Sequence, residues 1–207
     1  LITVTKQDRF EIVGLAKKLD DLGAELWATP ETAAAIRSLG IEVHVVNKLR
    51  EDNKRLKEQM QEQQKNLQKY AKEYYLMGNE CITHMHDTRA ALANYDKAIE
   101  LYPDYADAWV RKGVTLFNAD RINEAEACLD KAVRLRPMEF KTVYNRGKLR
   151  LHTGDTEGAI ADLDKATTLK PQHAGAHECF GDALTQAGKE MEAAIQYRLA
   201  EELLYHE

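Results

Sequence analysis

Residues 106–139 read ADAWVRKGVTLFNADRINEAEACLDKAVRLRPME. Within them Trp109, Gly113 and Leu116 fall at three- and four-residue spacing, and so do Ala125, Leu129 and Ala132, ahead of Pro137. That is the pattern of two amphipathic helices followed by a helix stop. The stretch is also periodic with its surroundings. Pro103, Pro137 and Pro171 stand 34 residues apart, and Gly113, Gly147 and Gly181 repeat on the same period. Further columns hold Ala91, Ala125, Ala159 and Ala193; Tyr95, Leu129, Leu163 and Tyr197; and Ala98, Ala132, Ala166 and Ala200.

Each column has a physical reason. Glycine and alanine sit where two antiparallel helices approach closely. The large residue four positions after the alanine lies on the same helix face and fills the gap. Proline closes the second helix and opens the link to the next unit. Asp104, Gly154-Asp155 and Gly188-Lys189 mark turns between helical stretches.

A helical pair repeating every 34 residues resembles the tetratricopeptide repeat (TPR), with 106–139 the best copy and others at 71–104, 140–173 and 174–207. The resemblance implies a mainly α protein, an α-solenoid of helix-turn-helix repeats. In the first copy Gly78 lies 13 residues before Ala91, where the other glycines lie 12 before their alanine, so one residue is inserted near Thr83 to Asp87. The last copy lacks a closing proline and a separate capping helix. Leu199, Leu203 and Leu204 are expected to stay partly exposed there, pointing either to a contact with another chain or to a chain cut short.

Residues 1–48 alternate differently. Ile2 to Thr5 is strand-like, Asp8 to Leu22 has helical spacing and ends at Gly23, and Glu25 to Ala28 is a second strand. Glu31 to Leu39 is a second helix ending at Gly40, and Ile41 to Val46 a third strand. The expectation is a small βαβαβ unit with a parallel sheet. Thr5 to Arg9, the turn Ala28 to Thr32 and Val46-Asn47-Lys48 make it resemble the first half of a methylglyoxal-synthase-like domain, found also as the regulatory domain of carbamoyl phosphate synthetase. That resemblance implies a phosphate site at Arg9, Thr29, Thr32 and Lys48. Glu31 replaces the glycine of the family's turn and sets a carboxylate where the anion would meet a helix N-terminus, so the expected site is vestigial.

Between the two parts lies a charged heptad helix, 49–70, running on towards 77. Val46, Asn53, Met60, Leu67 and Tyr74 form one seam column, and Leu49, Leu56, Gln63, Tyr70 and Met77 the other. A coiled coil or a stripe packed on the first repeat both fit, and a homo-oligomer is the expected state. The domains are then 1–48, 49–70 and 71–207.

The 207 residues carry 29 Lys+Arg against 34 Asp+Glu, a net charge of −5. Mild acidity argues against nucleic acid as a partner. The absence of a long apolar run argues against a membrane. Cys81, Cys128 and Cys179 are odd in number and form no CxxC pair, which fits small core residues in a reducing, cytoplasmic setting. The chain opens on Leu1 rather than Met, leaving a removed signal peptide open. His84, His86 and Asp87 with Cys81 are the only cluster of metal-ligand types, and a solvated turn is the simpler reading. No cofactor, metal or catalytic residue is expected.

The repeat resemblance implies a concave groove lined by first helices. It places there Lys72, Tyr75, Asn79, Arg111, Val114, Phe117, Lys141, Tyr144, Asn145 and Lys148, with Glu178 and Asp182 at the acidic end. Lys, Arg and Asn together suit a carboxylate. Asn79 and Lys141 match the two-carboxylate clamp by which some such domains hold a chaperone's C-terminal tail; Tyr75, Arg111 and Asn145 depart from it. The expected function is a non-enzymatic scaffold or adaptor that holds a peptide or acidic tail of a partner protein. The alternatives are a self-assembling structural protein, or a phosphate or nucleotide sensor at 1–48.

Overall fold

The computed structural model describes residues 9–23, 26–28, 30–38, 40–45 and 47–205. These fall into two compact units that divide between Lys65 and Asn66.

The first unit contains α1 (Arg9–Asp21), β1 (Trp27–Ala28), α2 (Pro30–Arg37) and β2 (His44–Val45). Both strands are shorter than the sequence predicts. They pair in parallel, Trp27 beside His44 and Ala28 beside Val45, so β1–α2–β2 is one βαβ crossover. The strand expected at 2–5 lies outside the described residues, and the full βαβαβ unit is therefore not seen. Ala16, Leu26, Ala28, Ala33, Ile36, Ile41 and Val43 form its core. The Trp27 and His44 rings stack at 4.8 Å, and Arg37 Nη2 donates to the Val43 carbonyl at 2.9 Å.

From Asn47 the chain is helical without a break for 37 residues, α3 (Asn47–Thr83). The heptad helix and the first helix of the first repeat are one element, because no proline or glycine interrupts the chain before Gly78.

The second unit is a series of helical hairpins. α3 is followed by α4 (Thr88–Leu101), then α5 (Ala106–Asn118) with α6 (Ile122–Leu135), and α7 (Phe140–Thr153) with α8 (Thr156–Leu169). α9 (Ala174–Gln186) and α10 (Glu190–Tyr205) complete it. Each second helix touches the first helix of the next hairpin, and α5 touches α7 as α7 touches α9. First helices thus stand side by side and form one continuous face.

The columns behave as their chemistry demands. A Cβ on Gly113 would lie 2.8 Å from Leu129 Cγ, and one on Gly147 would lie 2.8 Å from Leu163 Cγ, so only glycine fits these crossings. The inserted residue falls where the glycine spacing puts it. The turn from Thr83 to Thr88 is longer than its counterparts, and His86 takes a left-handed φ of 52° to close it. Asp87 then caps α4, accepting from the Ala90 backbone N–H at 2.9 Å.

Side chains also latch the links between hairpins. Trp109 Nε1 donates to the Pro103 carbonyl at 2.8 Å, and in the same column His177 Nε2 bonds the Pro171 carbonyl at 2.9 Å. On α7, Arg146 grips buried Asp162 of α8 through two bonds of 2.7 Å and reaches Asp130 of α6 at 3.0 Å. Arg150 Nη1 adds a bond of 2.9 Å to the same Asp162.

Candidate functional site

The first-helix face of the second unit carries two neighbouring clefts. One, of about 190 Å³, is lined by Tyr75 of α3, by Asp107, Val110, Arg111 and Val114 of α5, and by Lys141 and Asn145 of α7. Three consecutive hairpins build it, and five of the groove residues expected from the sequence meet there: Tyr75, Arg111, Val114, Lys141 and Asn145.

Its electrostatics follow from who is already paired. Asp107, which the sequence reading left out, is the one carboxylate lining the cleft, and Arg136 Nη1 holds it from 3.3 Å. Two cations therefore line the cleft beside an anion that already has a partner, which leaves it positive. Tyr75 forms an aromatic wall, its ring 5.2 Å from that of Tyr105. Burial, with Tyr75 and Asp107 nearby, pushes the Tyr105 hydroxyl up to about 12.

Asn79 behaves otherwise than expected of a clamp residue. Its Oδ1 accepts from Arg111 Nε at 2.7 Å and from the Tyr95 hydroxyl at 2.9 Å. The amide oxygen is spent inside the protein, where it orients the guanidinium. The Tyr95 hydroxyl is raised by burial, with Arg111 pulling the other way. Asn145 similarly donates to its own helix, to the Lys141 carbonyl at 2.7 Å.

The second cleft, of about 230 Å³, shares Arg111 and Val114 and adds Ile82, His86, Thr88, Thr115 and Asn118. None of these five was singled out for the groove. The signal that pointed to them was the inserted residue, since it is the lengthened turn that supplies His86 and Thr88.

The remaining groove residues lie elsewhere. The Tyr144 ring stacks on Phe140 at 5.1 Å, and burial raises its hydroxyl well above the usual tyrosine range. Lys148 Nζ sits 5.6 Å from that ring, and Phe117 meets His152 edge-on at 5.0 Å. Asp182 accepts from the Tyr197 hydroxyl at 2.8 Å, while Glu178 and Lys72 are exposed. Of the four residues assigned to an anion site, Thr29 and the side chains of Arg9 and Lys48 lie outside the described residues, and Thr32 is half-buried on α2.

Cys81 and Cys128 are buried and Cys179 half-buried, all as free thiols. Burial raises Cys128 and Cys179. His84 and His86 are exposed, and among the described residues no three His, Cys, Asp or Glu side chains gather as a metal site. No described helix is long and apolar enough to cross a membrane.

Comparison with known proteins agrees with the repeating helical hairpins. Family models of the tetratricopeptide repeat match residues 84–144, 115–174 and 144–204. A model of the MGS-like domain matches residues 11–82, a span that takes in most of α3. The uncharacterized protein MJ0572 of Methanocaldococcus jannaschii is 35% identical over 77 residues, which are 37% of this chain and 88% of that protein. Among solved structures, a MamA crystal structure is similar with a TM-score of 0.60 at 21% identity, over 66% of this chain and 79% of that one. MamA 41-end from Desulfovibrio magneticus RS-1 is similar at 0.60 and 23% identity, over 66% and 77%. At such identities the likeness to MamA is one of fold.

Proposed function

Because this chain belongs to the tetratricopeptide-repeat family across residues 84–204, we propose that it is a non-enzymatic adaptor that holds an acidic or carboxylate-ended peptide of a partner protein. The observation that carries this reading is the cleft built by α3, α5 and α7. Arg111 and Lys141 line it, Tyr75 gives it an aromatic wall, and Asp107 is already paired with Arg136. A carboxylate entering there meets two cations in a partly enclosed site, where charge-assisted hydrogen bonds are strongest. With Asn79 committed to Arg111 and Tyr95, the grip differs from a two-carboxylate clamp and rests on Arg111 and Lys141.

Lys141 gives the clean test, since it is exposed and makes no ion pair among the described residues. Fluorescence anisotropy with a labelled acidic pentapeptide bearing a free C-terminus is expected to show binding that Lys141→Ala weakens about tenfold. A neutral, C-amidated peptide bound equally well by both proteins would overturn the reading.

Self-association through α3 is the second reading, and one observation favours it. Every side chain from 52 to 67 is exposed, including Leu56, Met60 and Leu67 on the seam. A parallel pairing would set Asp52 of one copy near Lys57 of the other, opposite charges at flanking heptad positions. Met60→Glu in the intact chain should then lower the mass measured by sedimentation, and an unchanged mass would count against a coiled coil.

A further inference from the structure

The two clefts on the first-helix face are related by a step along α5. Asp107, Val110, Arg111 and Val114 line the first, and Arg111, Val114, Thr115 and Asn118 line the second, each four positions further on. The step is about one helical turn, or about 6 Å. It changes the chemistry. Where the first cleft has Asp107 the second has Arg111, and no carboxylate among the described residues lines the second.

The rest of the lining is Ile82 of α3 with His86 and Thr88, which the lengthened turn supplies. That turn covers 84–87, while the other hairpins close through 119–121, 154–155 and 187–189. Three hairpins stack without the extra residue, so packing alone does not call for it. The acid nearest in sequence, Asp87, is committed to its own helix, where it accepts from the Ala90 backbone N–H.

Five of the seven lining residues can donate hydrogen bonds: His86, Thr88, Arg111, Thr115 and Asn118. The side chains of His86, Thr88 and Asn118 make no hydrogen bond among the described residues. Arg111 commits Nε to Asn79 at 2.7 Å and has no carboxylate partner among the described residues. One guanidinium edge is enough for a planar carboxylate. Donors converging from a turn and two helices suit a group with more oxygens, and a phosphate monoester presents three.

We propose that the second cleft takes the phosphoryl group of a phosphoserine or phosphothreonine in the partner peptide, about two residues before its terminal carboxylate. An extended chain advances about 3.3 Å per residue, so two residues span the step between the clefts. The proposal rests on the reading of the first cleft as the carboxylate site. Arg111, common to both clefts, then faces both anions, and phosphorylation of the partner strengthens its hold.

Fluorescence anisotropy on the intact chain tests it with three free-ended acidic pentapeptides. One has serine third from the end, one has phosphoserine there, and one has phosphoserine next to the end. The second is expected to bind about tenfold more tightly than the first, and the third to keep little of that gain. Thr88→Ala combined with Asn118→Ala should remove the gain while leaving melting temperature and affinity for the serine peptide unchanged. His86→Gly, which keeps the left-handed turn, should reduce the gain independently. Lys141→Ala should weaken the serine and phosphoserine peptides by the same factor. Phosphorylation that adds nothing, adds equally at both positions, or still adds fully in the double variant would overturn the proposal and leave the carboxylate reading standing. Failure of all three peptides to bind would overturn both.

Discussion

In the inner hairpins α5–α6 and α7–α8, the space over Gly113 and Gly147 is closed by Leu129 and Leu163, both essentially without solvent exposure. In the outer hairpins the equivalent glycines, Gly78 and Gly181, face the rings of Tyr95 and Tyr197. The ring fills the same gap as leucine, and Tyr95 is as fully buried as Leu129 and Leu163, but the ring carries a hydroxyl that bonds Asn79 in one case and Asp182 in the other. Units with neighbours on both sides use hydrocarbon alone. The outer hairpins use a residue with an apolar body and a polar tip, so one side chain both closes the hairpin and positions a polar residue of the first helix.

The largest expected effect separates these two designs. Leu163→Ala should cost about 3–4 kcal/mol in denaturant unfolding, because a fully buried side chain leaves a cavity. Tyr197→Ala should cost clearly less, since Tyr197 is only half-buried. Equal losses would break the comparison. Next comes Gly147→Ala, where the new Cβ lies 2.8 Å from Leu163 Cγ. Overpacking there should cost about 1–3 kcal/mol by the same assay.

Tyr95→Phe keeps the ring and removes one hydrogen bond to Asn79, an expected loss of about 1 kcal/mol. Because Asn79 also orients Arg111, peptide affinity should fall with it. Unchanged affinity would show that the cleft does not depend on this support.

The mildest lever is alkaline pH. Burial holds the hydroxyls of Tyr95, Tyr105 and Tyr144 above the ordinary value of 10.0, Tyr105 at about 12. In the unfolded chain they ionise first, so the stability they contribute is intact below pH 10 and is lost as pH rises through about 12. Melting temperature should decline over that interval, together with a delayed tyrosinate absorbance. Tyrosines that all titrate near 10 while the fold persists would contradict the burial.

Much of this was legible in the chain because it repeats. Columns of Gly, Ala and Leu report helix contacts that recur at fixed spacing, and the one-residue insertion showed as a break in that spacing. The polar contacts were not legible, because they join different columns. Nothing in Asn79 alone says that Tyr95, sixteen residues on, will take its oxygen. Asp107 was passed over because its pairing with Arg136 spans 29 residues and depends on how two hairpins meet. The short strands near Trp27 and His44 gave only alternating apolar runs, which fix a strand's presence better than its ends.

Arg146 carries a consequence of another kind. Standing on α7, it bonds Asp130 on α6 and Asp162 on α8, so one guanidinium staples helices of two successive hairpins. An array whose units touch only their neighbours frays from its ends inwards. A staple near its middle sets where that fraying halts. Amide protons of α9 and α10 would then exchange with solvent through brief openings of the last hairpin, while those of α6 to α8 wait for the whole array to come apart.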